Sequence, residues 1–246
     1  VFYCTRESSP RYQEHILQSS GLRDLQIIEF VNDGSMSLSA AYNEGLKSAK
    51  YEHVIFIHDD LILSQNWGQK IHKYLSETDY GIIGVAGTTT LPKTGMWWEN
   101  KFEMVGRVWH QQTKMVGKKK KTIKYESKYS EKFYDTVLPT VIVDGLFIAV
   151  NKNKIAEGFD ESFNGFHFYD IPFCVNNILQ GVKIGVVTDI KIIHKSIGEV
   201  NQEWQKNRIT FANKYKEVLP IAIQEKNLFI YEEKIEIENP PSMAIV

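Results

Sequence analysis

Only two cysteines, Cys4 and Cys174, occur in the 246 residues. Two thiols make no disulfide framework, so a reducing compartment is the default and the fold must rest on its core. No apolar run approaches the roughly 20 residues of a membrane span, and no signal peptide is visible. Charge of either sign is not in excess: 29 basic against 30 acidic residues leave a net −1, which argues against a general nucleic-acid binder. Internal repeats and low-complexity tracts are missing too. The chain opens on Val1 rather than Met, as a trimmed chain or a domain of a longer protein would, and a terminal anchor outside it stays open. The expected location is cytoplasmic, or peripheral to the inner face of a membrane, with no membrane span in this chain.

Apolar residues are plentiful, at 43%, enough for one large α/β domain or one domain with a small appendage. Val1–Cys4 is a short apolar strand followed by a polar turn through Pro10. Tyr12–Ser20 has helical spacing and stops at Gly21. Leu25–Val31 predicts a second strand, and Asn32-Asp33-Gly34-Ser35 has the composition of a turn. Ser37–Ala49 predicts a helix capped by Ser37. Val54–Ile57 is apolar at every position, the pattern of a strand buried on both faces. A β-α-β-α-β rhythm in about sixty residues is that of a parallel sheet.

Beyond it, Trp67–Leu75 predicts a helix and Tyr80–Gly87 a glycine-rich buried strand. Periodicity fades from Thr88 to Lys132, which predicts a long irregular segment and a candidate for acceptor specificity. Within it the run Lys118–Lys121 is expected to be a solvated turn. Val137–Val150 is apolar again, broken by Asp144-Gly145. Asp170 opens a helix to about Gln180, in which Cys174 is a core residue. Strands follow at Lys183–Val187 and Ile190–Ile193, then a helix at Glu203–Tyr215. Leu228–Ile237 is an edge strand or a tail. Residues 1–220 are therefore expected to form the domain, and 221–246 a C-terminal extension or tail.

The chemistry gathers at element ends. Asp59 and Asp60 follow the Val54–Ile57 strand, where open α/β sheets bind ligands. One can ligate a divalent metal and the other accept a hydrogen bond from a sugar hydroxyl. Asp144, Asp170 and His194 stand at further strand or helix ends. Such a set suits metal-dependent reaction of a nucleotide-sugar. A divalent ion offsets charge on the departing diphosphate, and a carboxylate takes the proton of the attacking alcohol. Trp97 and Trp98 offer either a stacking platform for a sugar ring or a cover over the core.

In order along the chain come Val1-Phe2-Tyr3-Cys4-Thr5-Arg6, the Asn32–Ser35 turn, Ala41-Tyr42-Asn43-Glu44-Gly45, His58-Asp59-Asp60, Val143–Ala149, Phe159–Phe163, Phe168-Tyr169-Asp170 and Ile193-His194. Over roughly residues 1–200 this set resembles the GT-A glycosyltransferases, and is similar to the family 2 group of inverting enzymes. The resemblance implies an α/β fold of the GT-A (Rossmann-like) kind, a twisted mostly parallel sheet flanked by helices. It implies transfer from a nucleotide-sugar, UDP-sugars favoured, to a glycan, lipid-linked or protein acceptor with inversion, in surface glycan or glycoconjugate synthesis.

Residue by residue, the resemblance puts Thr5, Arg6, Asn32, Asp33 and Asn43 at the nucleotide, and Asp59 at the ribose or a sugar hydroxyl. Asp144 and Gly145 fall beside the sugars, and Tyr169 at the substrate. Asp60 and His194 would hold Mn²⁺ or Mg²⁺, and Asp170 would be the catalytic base, ionised at a helix N-terminus. The sequence departs from the family pattern at His58, which replaces the first acid of the DxD motif, at Tyr169 for the usual Glu, and at Pro172 for another Asp. These departures keep a catalytically degenerate carbohydrate-binding module in view. A sugar nucleotidyltransferase would want a glycine-rich basic loop after the first strand, which Thr5–Pro10 does not supply.

Overall fold

The computed structural model describes residues 1–117, 119–129, 136–196, 198, 200–224 and 227–230. The first half runs β1 (Phe2–Thr5), α1 (Pro10–Ser20), β2 (Ile28–Val31), α2 (Leu38–Ser48), β3 (His53–His58), β4 (Leu61–Leu63), α3 (Trp67–Glu77), β5 (Tyr80–Gly84), β6 (Ala86–Thr88) and β7 (Thr90–Leu91). A 3₁₀ turn at Lys101–Glu103 precedes β8 (Met104–Val116) and β9 (Lys119–Lys128). Then come β10 (Leu138–Thr140), β11 (Ile142–Val143), β12 (Phe147–Asn151), α4 (Asp170–Leu179), β13 (Lys183–Val186), β14 (Ile192–His194), α5 (Gln202–Lys214), β15 (Ile221–Gln224) and β16 (Asn227–Ile230).

A seven-stranded sheet in the order β10-β13-β5-β12-β3-β1-β2 forms the centre. β1 pairs in parallel with both β2 and β3, and β13 pairs in parallel with β5. β12, inserted antiparallel between β3 and β5, and the edge strand β10 run the other way. The sheet is thus mostly parallel, as expected. The interior strand β3, between β12 and β1, has Val54, Ile55, Phe56 and Ile57 all buried. On one face Phe56 stacks on Tyr42 of α2, centroids 4.6 Å apart. Trp67 of α3 packs edge-on against Phe147 of β12 and anchors its indole N–H on Ser19 Oγ of α1 at 3.0 Å. Burying an aromatic of this size is worth about 3–5 kcal/mol when truncation is the measure, so α1, α3 and the sheet are tied through few residues.

Local signals hold at the helix ends. Ser37 Oγ accepts the Ala40 N–H at 3.2 Å, and Gly21 closes α1 in the left-handed region at φ 73°. β2 is shorter than its apolar pattern suggests, starting at Ile28, because Val1 pairs only as far as Ile28 and its ammonium takes the Gln26 carbonyl.

The largest departure lies in 88–132, expected to be irregular. It carries β6, β7 and a long antiparallel hairpin of β8 with β9. β8 belongs to a second sheet, β11-β6-β8-β14-β4, that crosses the active end of the first. Alternation was invisible because the outer part of the hairpin is exposed on both faces, so no apolar face needed to be encoded. The lysine run falls on β9 from Lys119 onward rather than in a turn, Lys118 lying outside the described residues. Residues 231–246, most of the expected tail, also lie outside them. β15 pairs with β7 and β16.

Candidate active site

β3 ends at His58, and the chain turns through Asp59-Asp60 into β4. β14 lies antiparallel to β4, with His194 opposite Leu61. That pairing brings a residue 136 positions downstream onto the acid pair. His58 Nδ1 lies 3.4 Å from His194 Nε2, and His194 Nε2 lies 3.2 Å from Asp60 Oδ1. One ligand atom from each of His58, Asp60 and His194 falls within 4.8 Å of the others. The turn at 59–60 brings Asp60 back to His58 and His194, while Asp59 is exposed toward a cleft.

The fit to a cation can be judged from these atoms. Asp60 Oδ1 is buried and, among the described residues, accepts no aligned hydrogen bond. A shielded carboxylate oxygen without a donor is costly unless a cation faces it. Burial alone would raise the Asp60 carboxyl; the His194 ring, the Ser196 hydroxyl and His58 outweigh it and hold the pKa near about 2. Burial, then the nearby His194, lowers His58, which keeps the ring neutral and able to ligate. Tyr169 Oη lies 2.8 Å from His58 Nε2. With Nε2–H donated to that hydroxyl, Nδ1 is left with its lone pair toward His194 and Asp60. Two imidazoles and one carboxylate suit a first-row transition ion such as Mn²⁺ better than Mg²⁺, which prefers all-oxygen sites.

Beside this cluster opens a cleft of about 350 Å³, lined by Cys4, Thr5, Arg6, Asn32, Leu38, Tyr42, Ile57, His58, Asp59 and Phe166. Thr5, Arg6, Asn32 and Asp59 therefore meet as expected. Thr5 Oγ1 is engaged with the Glu7 backbone, and Asn32 spends its amide on its own turn, donating to Met36 O and accepting from Gly34 N. Arg6 is exposed at the rim. Burial, then the Asp59 charge, pushes the Cys4 thiol up to about 12, so it is an inert lining group.

On the other side of β3 Phe147 pairs with Ile57, so the loop Asp144-Gly145-Leu146 passes His58, whose N–H donates to Leu146 O at 3.1 Å. Asp144 Oδ1 caps Leu146 N at 3.0 Å. Asp170 begins α4, and its Oδ2 accepts the Gly145 N–H at 2.9 Å. Close packing, then the neighbouring Asp144, raises the Asp170 carboxyl to about 7, against the pull of backbone donors. A Cβ on Gly145 would stand 2.2 Å from Tyr169 Oη, so glycine is required there.

Other expected residues sit elsewhere. Asp33 is exposed and caps Ser35 N at 2.9 Å, outside the cleft lining. Asn43 bridges to the 158–161 loop, donating to Phe159 O and accepting Phe159 N, which is helix-to-loop packing rather than a nucleotide contact. Tyr169 is buried and meets His58 rather than offering a face to substrate. Trp97 is only 6% exposed, edge-on to Trp98 and Tyr129, so it has no free ring face; Trp98 leans on Trp204 at 5.4 Å. The bulk of these rings covers a core with Phe168 and Phe211, the second of the two alternatives the sequence left.

From the sequence His58 is a lost acid, whereas the fold sets it beside Asp60 and His194; the i, i+2 spacing to Asp60 is the signal. Ser196, whose Oγ lies 3.0 Å from His194 Nε2, and His110, whose ring centroid is 5.8 Å from that of His194, are further neighbours that the sequence did not single out. No local pattern marks His110, because β-pairing of β8 with β14 brings it in; Ser196 stands two residues after His194.

The mixed sheet carries its acid-imidazole cluster at the end of β3, and the fold is that of the GT-A glycosyltransferases. Residues 9–215, more than half of the chain, match the sequence model of the glycosyltransferase-like family, and the chain belongs to that family. Comparison with curated proteins found no match. Among solved structures, GalNAc-T7 with UDP, GalNAc and Mn²⁺ superposes with a TM-score of 0.50 at 11% identity, over 86% of this chain. The chain spans 41% of that structure's length, and the likeness is one of fold. A197 from STIV gives a TM-score of 0.43 at 10% identity, over 98% of this chain and 97% of that one. No helix among the described residues is long and apolar enough to cross a membrane.

Proposed function

We propose that this glycosyltransferase moves a sugar from a nucleotide-sugar, a UDP-sugar in the first instance, to a hydroxyl acceptor with inversion, and that it needs a divalent cation, Mn²⁺ before Mg²⁺. The observation that carries this reading is the convergence of His58, Asp60 and His194 within 4.8 Å, beside the cleft. GalNAc-T7 was solved with UDP, GalNAc and Mn²⁺, a combination carried over here as part of the proposal. The transferring unit is residues 1–220, with 221–246 as an extension.

In this reading His58, Asp60 and His194 hold the cation, which when bound supplies positive charge to the departing diphosphate. Thr5, Arg6, Asn32 and Asp59 receive the nucleotide, with Asp33 at its outer edge. Asp144 has one oxygen on Leu146 N and the other for a sugar hydroxyl. Asp170 is the base: Gly145 N–H orients Oδ2, and the second oxygen takes the proton from the acceptor alcohol as it attacks the anomeric carbon. A single carboxylate acting on the face opposite the leaving group is the requirement for inversion. Surface glycan or glycoconjugate assembly is the corresponding role.

The test is thermal shift with UDP, GDP, CDP and dTDP, each with and without Mn²⁺. A rise with UDP that requires Mn²⁺ supports the reading. A rise with free glycan and none with any nucleotide would overturn it in favour of a binding module, for which His58 and Pro172 are the sequence arguments.

A further inference from the structure

We infer that the β8–β9 hairpin docks this enzyme on an anionic lipid bilayer. The sequence between Lys114 and Lys124 holds six lysines and no acid, in a chain whose net charge is −1. The remainder of the molecule is therefore acidic, and the positive charge is concentrated in one element. Pairing shows what that element is. β8 is held in its sheet by β6 at Met104–Gly106 and by β14 at Trp109 and His110. Past His110, among the described residues, only β9 pairs with it, through the six pairs from Gln111–Lys124 to Val116–Lys119. At about 3.4 Å per residue this arm reaches roughly 20 Å beyond the sheet.

A two-stranded ribbon of that length is marginal in water without a surface to lie on. Its composition says what the surface is. Lys119, Lys121 and Lys124 are exposed, and so are Met115 at 62%, Ile123 at 39% and Tyr125 at 39%. Cross-strand register puts Lys119, Lys121, Ile123 and Tyr125 on one face, and Met115 and Lys124 on the other. Charge and apolar bulk thus occur on both faces. A linear polyanion lying along the arm would need lysines on one face and no exposed methionine. An arm immersed at the headgroup level uses both faces: aliphatic and aromatic groups enter the acyl boundary and lysines reach the phosphates. Lysine rather than arginine is also the choice for a diffuse anionic surface, since bidentate recognition of one phosphate calls for a guanidinium.

The base of the same arm touches the catalytic cluster. Tyr125 stacks on His110 at 5.3 Å, and His110 lies against His194. Docking would therefore set the cleft at the bilayer surface; that consequence for the acceptor rests on the transferase reading above, whereas the docking itself does not.

The experiment is co-sedimentation of the full chain with vesicles of phosphatidylcholine alone, and of phosphatidylcholine with roughly a third phosphatidylglycerol. Binding is expected only to the second, and should fade as salt rises from about 0.1 M to about 1 M. The variant carrying K119Q, K121Q and K124Q should lose about 100-fold in partitioning, near fivefold per lysine. Met115→Ser should weaken it a fewfold with the charge intact. The Mn²⁺-dependent UDP shift, measured on both variants, reports folding and the cleft separately, so failure of one proposal is not failure of the other. Equal binding to neutral vesicles overturns the inference. So does unchanged binding by the triple variant, or retention by dextran sulfate with no binding to vesicles.

Discussion

His58 Nδ1 and His194 Nε2 stand 3.4 Å apart, although 136 residues separate them. With Asp60 Oδ1 beside them, the two ring nitrogens are placed to turn lone pairs onto one ion. His58→Ala, Asp60→Asn or His194→Ala should each lower Mn²⁺ affinity by at least about 100-fold, measured by calorimetry, because ligand loss costs no less than loss of an outer partner. Tyr169→Phe should cost about 10- to 100-fold through the lost hold on His58 Nε2. Unchanged affinity in the His58 variant would remove that residue from the site.

Asp170 connects the site to pH. An aspartate in an unfolded chain titrates near 3.9, and in the fold Asp170 is raised to about 7 by close packing and Asp144. The folded state therefore disfavours its ionised form. Stability is intact below about pH 4, declines as pH rises from about 4 to about 7, and levels off above. Asp170→Asn should abolish transfer yet stabilise the protein at pH 8 by about 2 kcal/mol, after allowance for its partial exposure. For the native chain kcat/KM should climb with pH up to about 7 and flatten, because the base must be ionised in the free enzyme. A variant that keeps wild-type turnover would show that Asp170 is not the base.

Much of this was legible in the sequence. The β3 run, the Ser37 cap and the Gly21 stop are local physics, and each appears where the residues put it. The acid-imidazole constellation was legible as a set of element ends. What was hidden depends on pairing between distant strands. Nothing near His110 announces that β14 will lie beside β8. Asn43 and Trp97 look like ligand contacts by residue type, but the folded 158–161 loop consumes the first, and Trp98 and Tyr129 enclose the second. The hairpin was hidden for a different reason: a ribbon exposed on both faces has no periodicity to betray it.

Gly145 faces Tyr169 so closely that a methyl group has nowhere to go, the added Cβ meeting Oη at 2.2 Å and the ring's Cζ at 2.5 Å. Gly145→Ala should displace the Tyr169 ring, cost about 1–3 kcal/mol as an overpacked position, and weaken Mn²⁺ binding as His58 loses its partner. Gly34→Ala is the comparison, since no atom lies within 4 Å of its added Cβ. It carries only the strain of its φ of 97° and should leave Mn²⁺ affinity unchanged. Chemical denaturation and calorimetry on the two variants separate the outcomes, and equal Mn²⁺ affinity in both would show that Tyr169 does not position His58.

Glu29 holds the other wall of the cleft. Its carboxylate accepts from Tyr3 Oη at 2.5 Å, Ser8 Oγ at 2.5 Å and Ser9 N at 3.0 Å, and so pins the turn that carries Thr5 and Arg6. Burial acts to raise this carboxyl, but the Ser8, Tyr3 and Ser9 donors overcome it and bring the pKa to about 2. A depressed folded-state pKa contributes stability that is fully present above about pH 4.5 and is lost as pH falls toward 2. Glu29→Gln should therefore flatten the acid limb of a Tm-against-pH curve below pH 4.5. It should also loosen UDP binding at neutral pH, because the amide keeps one acceptor oxygen but sets an NH2 donor against Ser8 Oγ, or against Tyr3 Oη and Ser9 N. Identical acid limbs for the two proteins would show that Glu29 does not brace this wall.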